Sequence, residues 1–280
     1  MTLLERVVAA LLVVASMAAV GLDLDAARAR SILAQRGLLV RAMIATLVVV
    51  PLTAAAVLAL APIDADTRVG LTLAACAPGG ASATVLTLRA RGNAALTAAL
   101  VVLATLLSAL ATPALVALLT GGGSRASLVA AASGAGVAIA LQLVPLGLAV
   151  IARAHLSGDV TVRAARIANA ASNLLLLSLI AGIAIARWRS VLEAGPWTFG
   201  ASVLLTLVGV MAAQLLGRGA ERASRVALGV STGVRSLSLA LALAATVYPA
   251  PRTTEAILVY GLAMYLVVGV AAEIARRADR

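Results

Sequence analysis

The sequence predicts an all-α polytopic membrane protein of about nine transmembrane helices. Three observations carry this. Hydrophobic residues make up 62% of the 280-residue chain, and the mean hydropathy is +1.09, whereas a soluble domain is about half apolar. The apolar residues fall into runs of span length. The charged residues cluster between those runs, where a bilayer-spanning chain meets water.

A spanning helix takes roughly 20 apolar residues. Nine segments meet that description, at about 5–22, 37–61, 68–88, 94–120, 126–152, 167–186, 197–217, 226–248 and 255–273. They are far longer than the roughly ten residues of a barrel strand, so helices are the expected form. Little chain remains for a soluble domain, and residues 1–280 read as one membrane unit. The longest connections, near 23–36 and 153–166, carry mixed charge, and a short surface helix is expected there. The first segment has features of a signal peptide: Arg6, an apolar core, and small residues around Ala27-Arg28-Ala29. That cleavage point lies beyond Asp23 and Asp25, and the segment is read here as a span.

All 22 basic residues are arginine. With the N-terminus outside, the inward connections hold more than twice as many arginines as the outward ones. Arg28, Arg89, Arg163, Arg222 and Arg277 fall inside; Arg68, Arg125 and Arg252 fall outside. The bias predicts an N-out, C-in protein of the cell (inner or plasma) membrane. The net charge of +11 does not predict nucleic-acid binding, because the arginines cap apolar segments and form no separate patch. Cys76 is the single cysteine, so no intrachain disulfide forms. The lipid bilayer is the one partner composition implies; oligomeric state is not legible.

Segment three contains "CAPGGASATVLTLRARGN", Cys76–Asn93. Pro78 has no N–H, and Gly79 and Gly80 leave helical geometry at little cost. The hydroxyls of Ser82, Thr84 and Thr87 follow. In hydrocarbon a broken helix is tolerated only where protein or a watery cavity satisfies its backbone, so the break predicts a site. Segment eight, "ALGVSTGVRS", puts Gly229, Ser231, Thr232 and Gly233 in its first half and Arg235 just beyond. Two interrupted helices an odd number of segments apart point to inverted repeats and a secondary transporter. Glycines also serve close helix packing, and for Gly229–Gly233 that reading stays open. Pro51, Pro113 and Pro145 read as ordinary kinks. Asn169, Asn173 and Gln142 suit either a cavity wall or polar contacts between helices.

The stretch "CAPGGASATVLTLRARGNAALTA", Cys76–Ala98, resembles the signature of the bile acid:sodium symporter family. "VGLDLDAARARSIL", "ALLTGGG" and "LQLVPLGLAV" fall where that family has matching segments. The resemblance implies a panel of segments 5–22, 126–152 and 167–186, and a core of residues 37–120 and 197–273. It also implies that the two broken helices cross in the core, with the panel rocking against it for alternating access. In the family, side chains around the crossing bind sodium. Carried over by position, those places hold Thr46, Ala83, Thr84, Thr97, Val101, Ala227 and Ser231. The donors that remain are the hydroxyls of Thr46, Thr84, Thr97 and Ser231. Hard cations want several oxygens, preferably charged. The eleven acidic residues lie at segment ends or in connections, so weak sodium coupling or none is expected. His155, the lone histidine, sits in a connection, which argues equally against proton coupling.

Arg235 is the counterweight: a charge within a span is a functional hypothesis. Its planar fork suits a carboxylate or sulfate; it can also bind carbonyls of the broken helix. The expectation is a carrier of small organic anions, with Pro78, Gly79, Gly80, Ser82, Thr84, Thr232 and Arg235 at the substrate site and no cofactor. No nucleophile–base pair, metal cluster or phosphate loop suggests an enzyme. The alternatives are an arsenite- or auxin-type carrier of related fold and a non-transporting membrane sensor. An arsenite carrier is expected to have a cysteine directly after the proline, where Gly79 stands.

Overall fold

The structure is a computed structural model that describes residues 3–23, 36–80, 82–121, 125–186 and 195–278. Among them the chain is helical and contains no strand. In order, the helices are α1 (Leu3–Asp23), α2 (Arg36–Leu60), α3 (Ala65–Cys76), α4 (Ser82–Arg89), α5 (Ala94–Gly121), α6 (residues 125–155), α7 (Gly158–Ala186), α8 (Gly195–Leu216), α9 (Arg222–Gly233), α10 (Leu237–Thr246) and α11 (Pro251–Arg277). Helix occurs in each of the nine predicted segments, and the third and the eighth are interrupted. Five of these helices, α2, α5, α6, α8 and α11, are long and apolar enough to cross a membrane. Outward-facing leucines such as Leu52, Leu60, Leu110, Leu118 and Leu174 are largely exposed. Such faces suit lipid and not water, and the chain is an integral membrane protein.

Local chemistry sets several boundaries. Asp64 caps α3, accepting the Thr67 N–H at 3.0 Å, as N-terminal donors require. Burial pushes the Asp64 carboxyl up, but the Thr67 donors and the Arg252 guanidinium outweigh it and hold the group below its ordinary value. Asn93 caps α5 through the Leu96 N–H at 3.0 Å. Pro251 opens α11 where its missing N–H costs nothing.

Two of the predicted proline kinks are π-helical turns instead. Ala45–Val49 forms one just before Pro51, and Ile139–Leu143 forms the other just before Pro145. Proline clashes with the carbonyl four residues back, and widening the preceding turn relieves this. Pro113 sits inside α5 with no such turn. The connection expected at 153–166 is also different. Helix α6 runs to His155 and α7 begins at Gly158, with Asp159 in its first turn. No separate surface helix forms there; two residues join the helices, and Asp159 complements the N-terminus of α7. Residues 24–35 lie outside the described residues.

Helix α1 packs chiefly on α7 and on the second half of α6, and Arg153 of α6 donates to the Leu22 carbonyl of α1. Helix α3 packs on α11, and α8 on α9 and α11. A side chain at Gly70 would run into the Thr253 carbonyl, so α3 and α11 touch at the backbone, as small residues permit in membrane bundles.

Candidate functional site

The chain leaves helical geometry at 77–80 and again at 234–236. The first break falls where Pro78-Gly79-Gly80 predicts it. The second does not fall among Gly229–Gly233. Helix α9 continues through all of them, and the break lies at Val234-Arg235-Ser236. The glycines serve packing: a side chain at Gly233 would meet Val210 at 2.6 Å, and one at Gly229 would meet Gln214 at 3.1 Å.

The two breaks cross. Pro78 and Arg235 form an isolated antiparallel bridge, and the Ser236 N–H donates to the Ala77 carbonyl at 2.7 Å. Gly79 sits at φ +88, and a side chain at Gly80 would meet the Arg235 carbonyl at 2.7 Å. Glycine is needed at both, for conformation at one and for approach at the other. Several other backbone groups at the breaks find partners too. Thr112 donates its hydroxyl to the Cys76 carbonyl at 2.6 Å, the Arg235 N–H points at the Met264 sulfur at 3.0 Å, and the Ala83 N–H reaches the Gly80 carbonyl at 3.0 Å. Such satisfaction is the condition for irregular backbone inside a bundle.

Arg235 is 2% exposed. One terminal nitrogen donates to the Thr46 carbonyl at 3.2 Å, and the other has no partner. The Thr46 carbonyl is free for a definite reason. The Val50 N–H that an α-helix would offer it goes to Ala45 in the π turn, and the next residue, Pro51, has no N–H. No acidic side chain pairs with Arg235 among the described residues. The buried Tyr260 hydroxyl lies close to both Arg235 and Thr206 but meets hydrogen-bond geometry with neither.

Beside the crossing is a chamber of about 30 Å³. Ser16 of α1 and Ser172 of α7 line one side. Gly80, Ser82 and the run Arg235–Ser238 line the other, with Tyr265 of α11 bonded to Ser82 at 2.9 Å. The N-termini of α4 and α10 both open here. Ser236 caps α10, accepting the Leu239 N–H at 3.4 Å, and touches Ser238 at 3.2 Å. Helix N-termini present positive partial charge and N–H donors. Hydroxyls, two positive helix ends and a guanidinium therefore gather with no acid in the lining, a surround that favours negative charge.

Of the predicted substrate residues, Pro78, Gly79 and Gly80 lie buried at the crossing, and Gly80, Ser82 and Arg235 line the chamber. Thr84 is half-buried on α4 away from the lining, and Thr232 is bonded to Thr46 at 3.0 Å. Three of the four predicted sodium donors have separate partners. Thr46 pairs with Thr232, Thr97 with Thr87 at 3.0 Å, and Ser231 bonds the Leu228 carbonyl of its own helix at 3.1 Å. Gln142 accepts from Ser108 at 3.3 Å, Asn169 is half-buried with a partner, and the Asn173 side chain lies outside the described residues. Exposed His155 ends α6. Ser236, Ser238 and Tyr265 escaped the sequence reading, although "VRSLSLA" displays two of them. Ser16 and Ser172 are far away in sequence and carry no local signal.

A bundle of apolar helices in which two broken helices cross over a polar chamber has the form of a membrane carrier. The model of the Sodium Bile acid symporter family matches residues 10–139, which include the first break. The match, over somewhat less than half of the chain, suggests a transporter of the bile acid symporter kind; members of that family are transporters. No curated protein matches the chain.

Proposed function

We propose that the protein is a secondary transporter of organic anions, and that the crossing is its substrate site. The observation that carries this reading is the unpartnered nitrogen of buried Arg235, beside a hydroxyl-lined chamber onto which two helix N-termini open. An uncompensated buried cation is costly, and an anion would offset that cost. In this reading all nine segments span the membrane, N-terminus outside and C-terminus inside. Helices α1, α6 and α7 form a panel that rocks against the rest. The grouping is supported by the packing of α1 on α6 and α7.

At about 30 Å³ the chamber has room for water alone, whereas ligand pockets run to several hundred Å³. Substrate entry therefore requires panel and core to part, as alternating access demands. Sodium has a small role at most. Three of its expected donors are engaged elsewhere, Thr46 with Thr232, Thr97 with Thr87 and Ser231 with the Leu228 carbonyl, and none of the four carries a charge.

The test is uptake of a panel of labelled organic anions into proteoliposomes, with and without an inward sodium gradient, for wild type and Arg235→Ala. Uptake that ignores sodium and is lost with Arg235 is expected. Uptake driven by sodium and indifferent to Arg235 would overturn the reading.

A further inference from the structure

Arg235 brings a positive charge that is part of the chain. A cation taken from solution leaves the site with the substrate; a tethered guanidinium stays. We propose that the protein is an anion-for-anion exchanger, whose site reorients readily when an anion pairs with Arg235 and slowly when it is empty. This rests on the anion-carrier reading above and adds its mode of operation.

Three observations point the same way. First, Arg235 is 2% exposed and has no acidic partner among the described residues. The empty site therefore has a net positive charge, and moving it through a low-dielectric interior is costly. Second, two of the hydroxyls expected to host a compensating ion are hydrogen-bonded to other side chains, Thr46 to Thr232 and Thr97 to Thr87. Among the described residues, the chamber lining holds no acidic side chain to cancel the charge of the empty site. Third, Arg235 has a resting place. Its nitrogen holds the Thr46 carbonyl of α2, which is available because Val50 serves Ala45 and Pro51 donates nothing. This latch joins the second break to a helix outside the crossing and holds the empty form in one arrangement.

An anion entering the chamber changes both conditions. It cancels the charge that must move, and it competes with the Thr46 carbonyl for the guanidinium. The loaded site is then electrically neutral for a monoanion and released from the latch. The empty site is neither. The charge balance follows: one monoanion in and one out moves no net charge, whereas a return of the empty site moves one positive charge and feels the membrane potential.

The experiment uses the full chain in proteoliposomes, with labelled lactate, benzoate and taurocholate each tested as the probe. Vesicles contain either the same unlabelled anion or buffer alone. Uptake into anion-loaded vesicles is expected to be at least about tenfold faster than into buffer-filled ones, and indifferent to an imposed potassium diffusion potential. Arg235→Gln should abolish the advantage of loaded vesicles, and Arg235→Lys should keep part of it. Equal uptake into loaded and buffer-filled vesicles, with both lost in Arg235→Gln, overturns exchange while the anion-carrier reading stands. Absence of uptake for every probe in both kinds of vesicle, with no anion-dependent thermal shift, overturns both.

Discussion

Between Cys76 and Ser82 the chain carries Pro78, Gly79 and Gly80; between Gly233 and Leu237 it carries Val234, Arg235 and Ser236. In the first interval helix is forbidden or disfavoured by covalent structure, through a missing N–H and a positive φ. In the second every residue can be helical, and the Val234 N–H still bonds the Val230 carbonyl at 2.9 Å. The helix ends there because other partners take the next donors: Met264 receives the Arg235 N–H, and Ala77 receives the Ser236 N–H. One break is local. The other is imposed, in part by the first.

That asymmetry can be broken from either side. The largest effect is expected for Gly80→Val, which drives a side chain into the Arg235 carbonyl and should part the crossing. A loss of about 3 kcal/mol is expected, read as a fall in thermal stability in detergent. Arg235→Met should act oppositely on stability and function. Anion uptake falls at least about tenfold with the loss of a charge-assisted fork. The unloaded protein melts no lower than wild type, and up to about 1 kcal/mol more stable, because a poorly paired buried charge is gone.

Pro51→Ala is subtler. It supplies an N–H that competes for the Thr46 carbonyl, a shift worth about 1 kcal/mol. Loosening the latch should shrink the advantage of anion-loaded vesicles without abolishing uptake. Thr112→Val strips the hydroxyl from the Cys76 carbonyl at the first break and should cost about 1 kcal/mol by thermal unfolding. Asp64→Ala removes the cap of α3 and should cost about 0.5–1 kcal/mol. In wild type the Asp64 carboxyl is held below its ordinary value. Its contribution is therefore complete above the unfolded carboxylate value of about 4. It is lost only as pH falls through the lower folded value, so the gap between variant and wild type should close in acid.

The sequence displayed what local chemistry dictates. Pro78-Gly79-Gly80 marks a break by itself, and the apolar runs mark the helices. Gly229 and Gly233 misled, because a glycine that admits Val210 against a helix looks the same in sequence as one that ends a helix. The π turns before Pro51 and Pro145 were invisible as such; proline announces strain, not how the turn relieves it. The pairing of Thr46 with Thr232 joins residues far apart in the chain, and no periodicity reveals it. Arg235 stood out for the opposite reason: a single charge in an apolar run needs no partner to be noticed.

The bridge between Pro78 and Arg235 also dictates an order of assembly. The first break is synthesised and inserted well before residues 234–236 exist. Until they arrive, the Ala77 carbonyl lacks the Ser236 N–H that satisfies it. The amino-terminal half must therefore wait in the bilayer with an open seam, shielded by water or by the insertion machinery, and long-range pairings of this kind close late. A ribosome stalled before Val234 would leave a half-protein whose helices are inserted but whose centre is unsealed.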